Sequence, residues 1–163
     1  MRACVFLGFA AGMTGGTSAH ATPPSDGLVS ASVELSESRA DVEKLLGDAA
    51  ATVRMSPDVT TVTATPQGGC ERLAIEAKGP LGPLNLISLR CREGDGWKET
   101  LVSSDDFERH EVHWQLEDTP TGTRLTVRAA VTPDFPVPQR MVDAALQSSL
   151  IQQLSRIKAF LAD

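Results

Sequence analysis

The sequence has no tyrosine, and its aromatics are five Phe and two Trp among 163 residues. Platforms for stacking bases are therefore not expected. It also lacks a basic run. Asp plus Glu number 21 against 15 Lys plus Arg, a net charge of −6, which leaves no electrostatic footprint for nucleic acid. No apolar stretch is long enough to span a bilayer, so no stable membrane anchor is expected. Cysteine is scarce, with only Cys4, Cys70 and Cys91. His110 and His113 fall on opposite faces of a strand and cannot share a metal, so neither a metal nor another cofactor is expected. No serine stands in a G-x-S-x-G context. "GDG" (94–96) does not precede a helix and reads as a turn, as does Asp105-Asp106.

What is present begins with "MRACVFLGFAAGMTGGTSAHA". A positive Arg2, an apolar run from Ala3 to Ala11, small residues and Ala19-His20-Ala21 form the pattern of a secretory signal peptide, with cleavage expected after Ala21. Cys4 lies too early in this pattern to carry a lipid. The expected organisation is a signal peptide at 1–21, a linker at 22–27 and one domain at 28–163, a length that can bury a real core. The destination would be periplasmic or extracellular, where Cys70 and Cys91 meet oxidising conditions.

Periodicity orders the domain. "LVSASVEL" (28–35) alternates and reads as a strand. "SESRADVEKLLGDAAATVRMSP" reads as helix, with Ser38 and Asp41 resembling a capping box and Gly47 dividing it into two short helices. From Val59 to Pro133 the period is two, and "QGG", "GPLGP", "EGDG", "SSDD" and "DTPTGT" punctuate six strands. Without long crossovers these form an antiparallel meander. Pro133, Pro136 and Pro138 end the last strand, because proline cannot continue a ladder, and turn the chain back across the sheet. Pro138 suits a first helical turn. A long helix follows, striped by Val142, Leu146, Leu150, Leu154, Ile157 and Leu161.

The order is strand, two short helices, six strands and a long C-terminal helix, an α+β arrangement. It resembles the START-like (SRPBCC) superfamily, the helix-grip fold of polyketide cyclases, coenzyme-Q-binding proteins, plant allergens and lipid-transfer domains. The stretch "GTRLTVRAAVTPDFPVPQRMVDAALQSSLIQQLSRIKAFL" carries the likeness, through a Gly-Thr before the last strand, a proline corner and a long helix over the concave face. The resemblance implies a cavity between sheet and helix that holds an apolar molecule. It does not imply an enzyme, since one fold hosts many functions.

Turn midpoints set the register. They pair Leu116 with Leu125, Trp114 with Val127, Val112 with Ala129 and His110 with Val131. The earlier hairpins pair Leu101 with His110, Glu99 with Val112, Trp97 with Trp114, Arg90 with Glu99, Ser88 with Leu101, Ile75 with Leu86, Leu73 with Ser88 and Glu71 with Arg90. All share one inner face. Cys70 then lies opposite Cys91 on the outer face. That position suggests a disulfide worth about 2–4 kcal/mol, and two free thiols are the alternative. Ile87 and Leu89 also fall outside, and a slip of one residue would bring them in and expel Arg90 and Ser88. Glu71, Arg90, Glu99 and His110 form a polar row at one end of the inner face. The plainer reading of this row is an ion-paired, partly solvated rim. The functional reading is a recognition spot for a head group.

The expected function is therefore an exported, monomeric, non-enzymatic module that carries a lipid, isoprenoid or polyketide-like molecule. Its expected ligand wall comprises Trp97, Trp114, Val127, Ala129 and Arg90 on the sheet, with Val142, Ala145, Leu146 and Ser149 on the helix. Ala144, Ala145, Ser148 and Ser149 thin that helix and leave room. The alternative is a cyclase or hydrolase that uses Glu99 and His110 as an acid–base pair. An interaction module built on the outer Ile87–Leu89 patch is a third class.

Overall fold

The structure is a computed structural model that describes residues 20–22, 27–79 and 82–163. The rest of the expected signal peptide, Cys4 included, lies outside the described residues. The elements are β1 (His20–Thr22), β2 (Val29–Leu35), α1 (Arg39–Leu46), α2 (Ala49–Arg54), β3 (Val59–Gln67), β4 (Cys70–Gly79), β5 (Gly82–Glu93), β6 (Gly96–Ser103), β7 (Phe107–Thr119), β8 (Gly122–Pro133) and α3 (Gln139–Ala162). The strands form one antiparallel sheet in the order β1-β2-β8-β7-β6-β5-β4-β3. The meander β3 to β8 is as expected. The addition is β1, whose backbone pairs with β2 at Ala21↔Ala31 and crosses the expected cleavage position.

The two short helices follow from their caps. Ser38 Oγ accepts from Asp41 N at 3.3 Å and opens α1, and Gly47 closes it. Asp48 Oδ1 accepts from Ala51 N at 2.8 Å and opens α2. These caps satisfy N–H groups that a helix start leaves without partners.

The register is the one that the turn midpoints predict at nearly every position. Trp97↔Trp114, Glu99↔Val112, Arg90↔Glu99, Ser88↔Leu101, Glu71↔Arg90 and Leu116↔Leu125 are all observed. Ile87 and Leu89 stay on the outer face, half-buried, so no slip occurs. One expected pair is missing. The β6–β7 ladder ends at Thr100↔Glu111, so Leu101 and His110 are not partners. Beyond that point the hairpin tip is held elsewhere, with Asp106 Oδ2 accepting from Asn85 N at 2.7 Å and Asp106 O from Asp134 N at 2.8 Å. Gly96 keeps the other end of this ladder tight, because any side chain there would run into the Trp114 carbonyl.

The helix α3 packs chiefly on β2 and β8, and its two halves differ. Leu150, Gln153, Leu154 and Ile157 are buried, and the three apolar ones join the main core with Leu125, Val127 and Leu46. Val142 and Leu146 are only half-buried, so the expected stripe is not uniformly packed. A second apolar cluster, Ala49, Val53, Leu73, Ile75 and Leu86, lies under α2. The first half of α3 stands over the gap between the two cores. Pro138 occupies the N-cap position of α3 and makes no side-chain cap. It does not enter the first turn.

Candidate functional site

Under the first half of α3 the sheet leaves a cavity of about 510 Å³. That lies within the range usual for small-molecule sites, roughly 300–1,000 Å³. Its walls come from α2 and the turn after it, strands β3 to β8, the proline corner and α3. Of the expected ligand residues, Trp114, Ala129, Val142, Ala145, Leu146 and Ser149 line it. Ala144 and Ser148, the other two small residues, point to solvent.

Trp97, Val127 and Arg90 are not on its wall. Val127 is fully buried in the main core beneath the packed half of α3. Trp97 packs against the same core and is covered by the Arg90 and Arg92 guanidinium groups, 5.6 and 4.3 Å from its ring centre. Arg90 turns away because the end of α1 attracts it: Nη2 donates to the Leu46 carbonyl at 2.8 Å. Helix ends leave such carbonyls without partners and carry partial negative charge. Its guanidinium also lies 5.6 Å from the Trp114 ring centre, a cation–π arrangement with both indoles.

The middle of the polar row is not solvated, while Glu71 and His110 at its ends are half-buried. Arg90 is 1 % exposed and Glu99 2 % exposed. Glu99 and His110 both reach the cavity wall, and they approach each other closely. His110 Nε2 lies 2.9 Å from Glu99 Oε1, and Ser88 Oγ donates to the same oxygen at 2.6 Å. Burial pushes the Glu99 carboxyl upward. The His110 hydrogen bond and charge, Ser88 and the Arg90 charge more than offset it and hold Glu99 below the ordinary carboxylate range. Burial lowers the Arg90 guanidinium, against the charges of Glu99, Glu71 and Asp48. Such a pair can anchor a polar head group or serve as an acid–base pair. No group of three or more His, Cys, Asp or Glu suited to a metal occurs among the described residues.

Several wall residues escape a reading of the sequence. Val53 comes from α2 and Ser56 from the turn after it, Ile75 and Leu86 from the second cluster, Phe107 from β7 and Gln153 from α3. The inward face of Ile75 and Leu86 is legible from the register. That α2 and α3 would leave space above them is not. Ser56 Oγ and Ser149 Oγ meet at 3.3 Å, so the turn after α2 touches α3 at one border of the cavity. On the outer face, Cys70 and Cys91 sit directly opposite each other and are joined by a disulfide, with Cα atoms 4.4 Å apart.

No protein-family profile matches this chain, and no curated protein sequence does. Solved structures do. A START superfamily protein from Mycobacterium smegmatis superposes with a TM-score of 0.72 at 18% identity, over 83% of this chain and 97% of its own. An aromatase/cyclase from Streptomyces sp. R1128 gives 0.71 at 11%, over 83% and 93%. A STAR-related lipid transfer protein from Xanthomonas axonopodis gives 0.69 at 15%, over 90% and 99%. The chain has the START-like helix-grip fold. At these identities the likeness concerns the fold alone. Among the described residues of this START-like chain, no helix is long and apolar enough to cross a membrane.

Proposed function

We propose that this START-like chain is an exported, monomeric carrier that holds a lipid, isoprenoid or polyketide-like molecule between the sheet and the first half of α3, without transforming it. The observation that carries the reading is the cavity of about 510 Å³ with a mainly apolar wall. Packed domains rarely keep a void of that size, and an apolar enclosure favours an apolar guest. The likeness to a lipid transfer protein and to an aromatase/cyclase supports the same class of ligand. Export rests on the pattern of the first 21 residues.

The test is native mass spectrometry and solvent extraction of protein collected after secretion. A bound apolar compound and a mature N-terminus at Thr22 are expected. Protein that emerges empty and takes up no apolar dye would remove the carrier reading, and an intact Met1 would remove export. A second reading is kept alive by one observation, the contact of Glu99 and His110 at the cavity wall. It makes the chain a cyclase or hydrolase that uses Glu99 and His110 as an acid–base pair. Recovery of the extracted compound unchanged after incubation favours the carrier. Conversion that disappears in His110→Ala favours the enzyme.

A further inference from the structure

We infer that the inner end of the guest carries an uncharged oxygen acceptor, such as a carbonyl, which takes a hydrogen bond from Nε1 of Trp114. The inference rests on the binding reading above and adds the chemical class of the guest. Trp114 is 2 % exposed and forms part of the cavity wall. Its Nε1 is closed off from solvent and has no hydrogen-bond partner. An indole N–H can only donate, and when buried it usually has an acceptor. Leaving such a donor unmatched is costly and uncommon. Trp114 also marks the inner end of the site. Val112 and Ala129 beside it line the cavity, whereas Leu116 and Val127 belong to the packed core and do not. The opposite end opens where Met141, also on the wall, is 59 % exposed. To meet a guest the indole has to shift toward the cavity, and the open space on that side gives it room.

The charges nearby decide which acceptor fits. Arg90 is opposed by Glu99, Glu71 and Asp48, and His110 lies against Glu99 at 2.9 Å. With His110 protonated, two cations face three carboxylates, and with His110 neutral, one cation faces three. Asp58 and Lys78, also on the wall, cancel each other. Negative charge is therefore already in excess. An anionic guest would add to it inside a mainly apolar enclosure, beside a Glu99 that is 2 % exposed. Arg90 offers it nothing, because its nitrogens Nε and Nη1 are closed off from solvent. An ammonium has no lone pair for the indole, and a hydrocarbon leaves the N–H unmatched. An uncharged oxygen supplies the lone pair and adds no charge.

The test measures displacement of Nile red by methyl heptyl ketone, nonane and nonanoate, three guests of equal carbon count, from the unmodified protein and from Trp114→Phe, which keeps an aromatic ring and removes the donor. The substitution should weaken the ketone about tenfold, the usual worth of matching a buried donor, and the other two less than about threefold. In the unmodified protein, NMR of the two indole N–H protons, told apart with Trp97→Phe, should show the Trp114 signal moving downfield with the ketone and not with nonane. This second measurement stands even if Trp114→Phe does not fold. An equal loss for ketone and nonane would overturn the inference, as would a Trp114 signal that the bound ketone does not move downfield. A loss for nonanoate as large as for the ketone would overturn the uncharged acceptor. So would Nile red binding that the ketone does not displace. In each of those cases the carrier reading stands. If Nile red itself does not bind, the carrier reading falls and the acceptor inference with it.

Discussion

Gln153 Nε2 donates to the backbone carbonyl of Thr52 at 2.9 Å, and both residues are buried. This one amide ties α3 to α2 where the helix passes from its packed half to the half above the cavity. Gln153 also lines that cavity, so the same side chain serves the fold and the site.

Gln153→Ala should lower stability by about 1–2 kcal/mol, read from urea unfolding. The loss is moderate because the Thr52 carbonyl keeps a second donor, Met55 N at 3.2 Å. No measurable loss would mean that this amide does not help to hold α3 on α2.

Ala145→Trp tests the cavity itself. Ala145 sits on the wall over open space, so the indole should fill a void without straining a packed core. Nile red uptake should be abolished, with a stability change below about 1 kcal/mol. Overpacking of a filled interior would instead cost about 1–3 kcal/mol. Melting temperature and dye binding on this variant separate the two.

Cys70 and Cys91 should resist alkylation in exported protein until reductant is added, because they are joined across β4 and β5. Reduction should lower stability by about 2–4 kcal/mol. Two freely alkylated thiols in exported protein would rule the bond out.

Glu111 on the outer face predicts an acid limb. Hydrogen bonds from Arg109 Nη2 and His113 Nε2, each 2.8 Å, lower its carboxyl to about 2. The folded value is below the unfolded one, so the contribution is full above about pH 4.5 and is lost as pH falls toward 2. After allowance for solvent screening it is worth about 1 kcal/mol. Glu111→Gln should therefore be less stable at pH 7, and the difference should vanish near pH 2. A difference that persists there would assign the effect to packing.

The strand register was legible from residues alone. Short turns leave few ways to pair two strands, so their midpoints placed Trp97 opposite Trp114 and Cys70 opposite Cys91. Alternation then assigned inner and outer faces, since a strand repeats every two residues. Ser38, Gly47 and Asp48 likewise marked the two short helices through local hydrogen bonds. The site needed tertiary structure, because a face is a property of one strand and a cavity is a property of the distance between layers. Equivalent inward positions end up away from the cavity, as Val127 does, or on its wall, as Ala129 does, depending on which half of α3 lies above. Arg90 shows the same limit. Its neighbours in the ladder suggested a solvated ion pair, but its hydrogen-bonding partner is the carbonyl of Leu46, 44 residues away. Only the docking of α1 on the sheet brings that carbonyl within reach, and with Arg90 drawn away Glu99 faces the cavity beside His110.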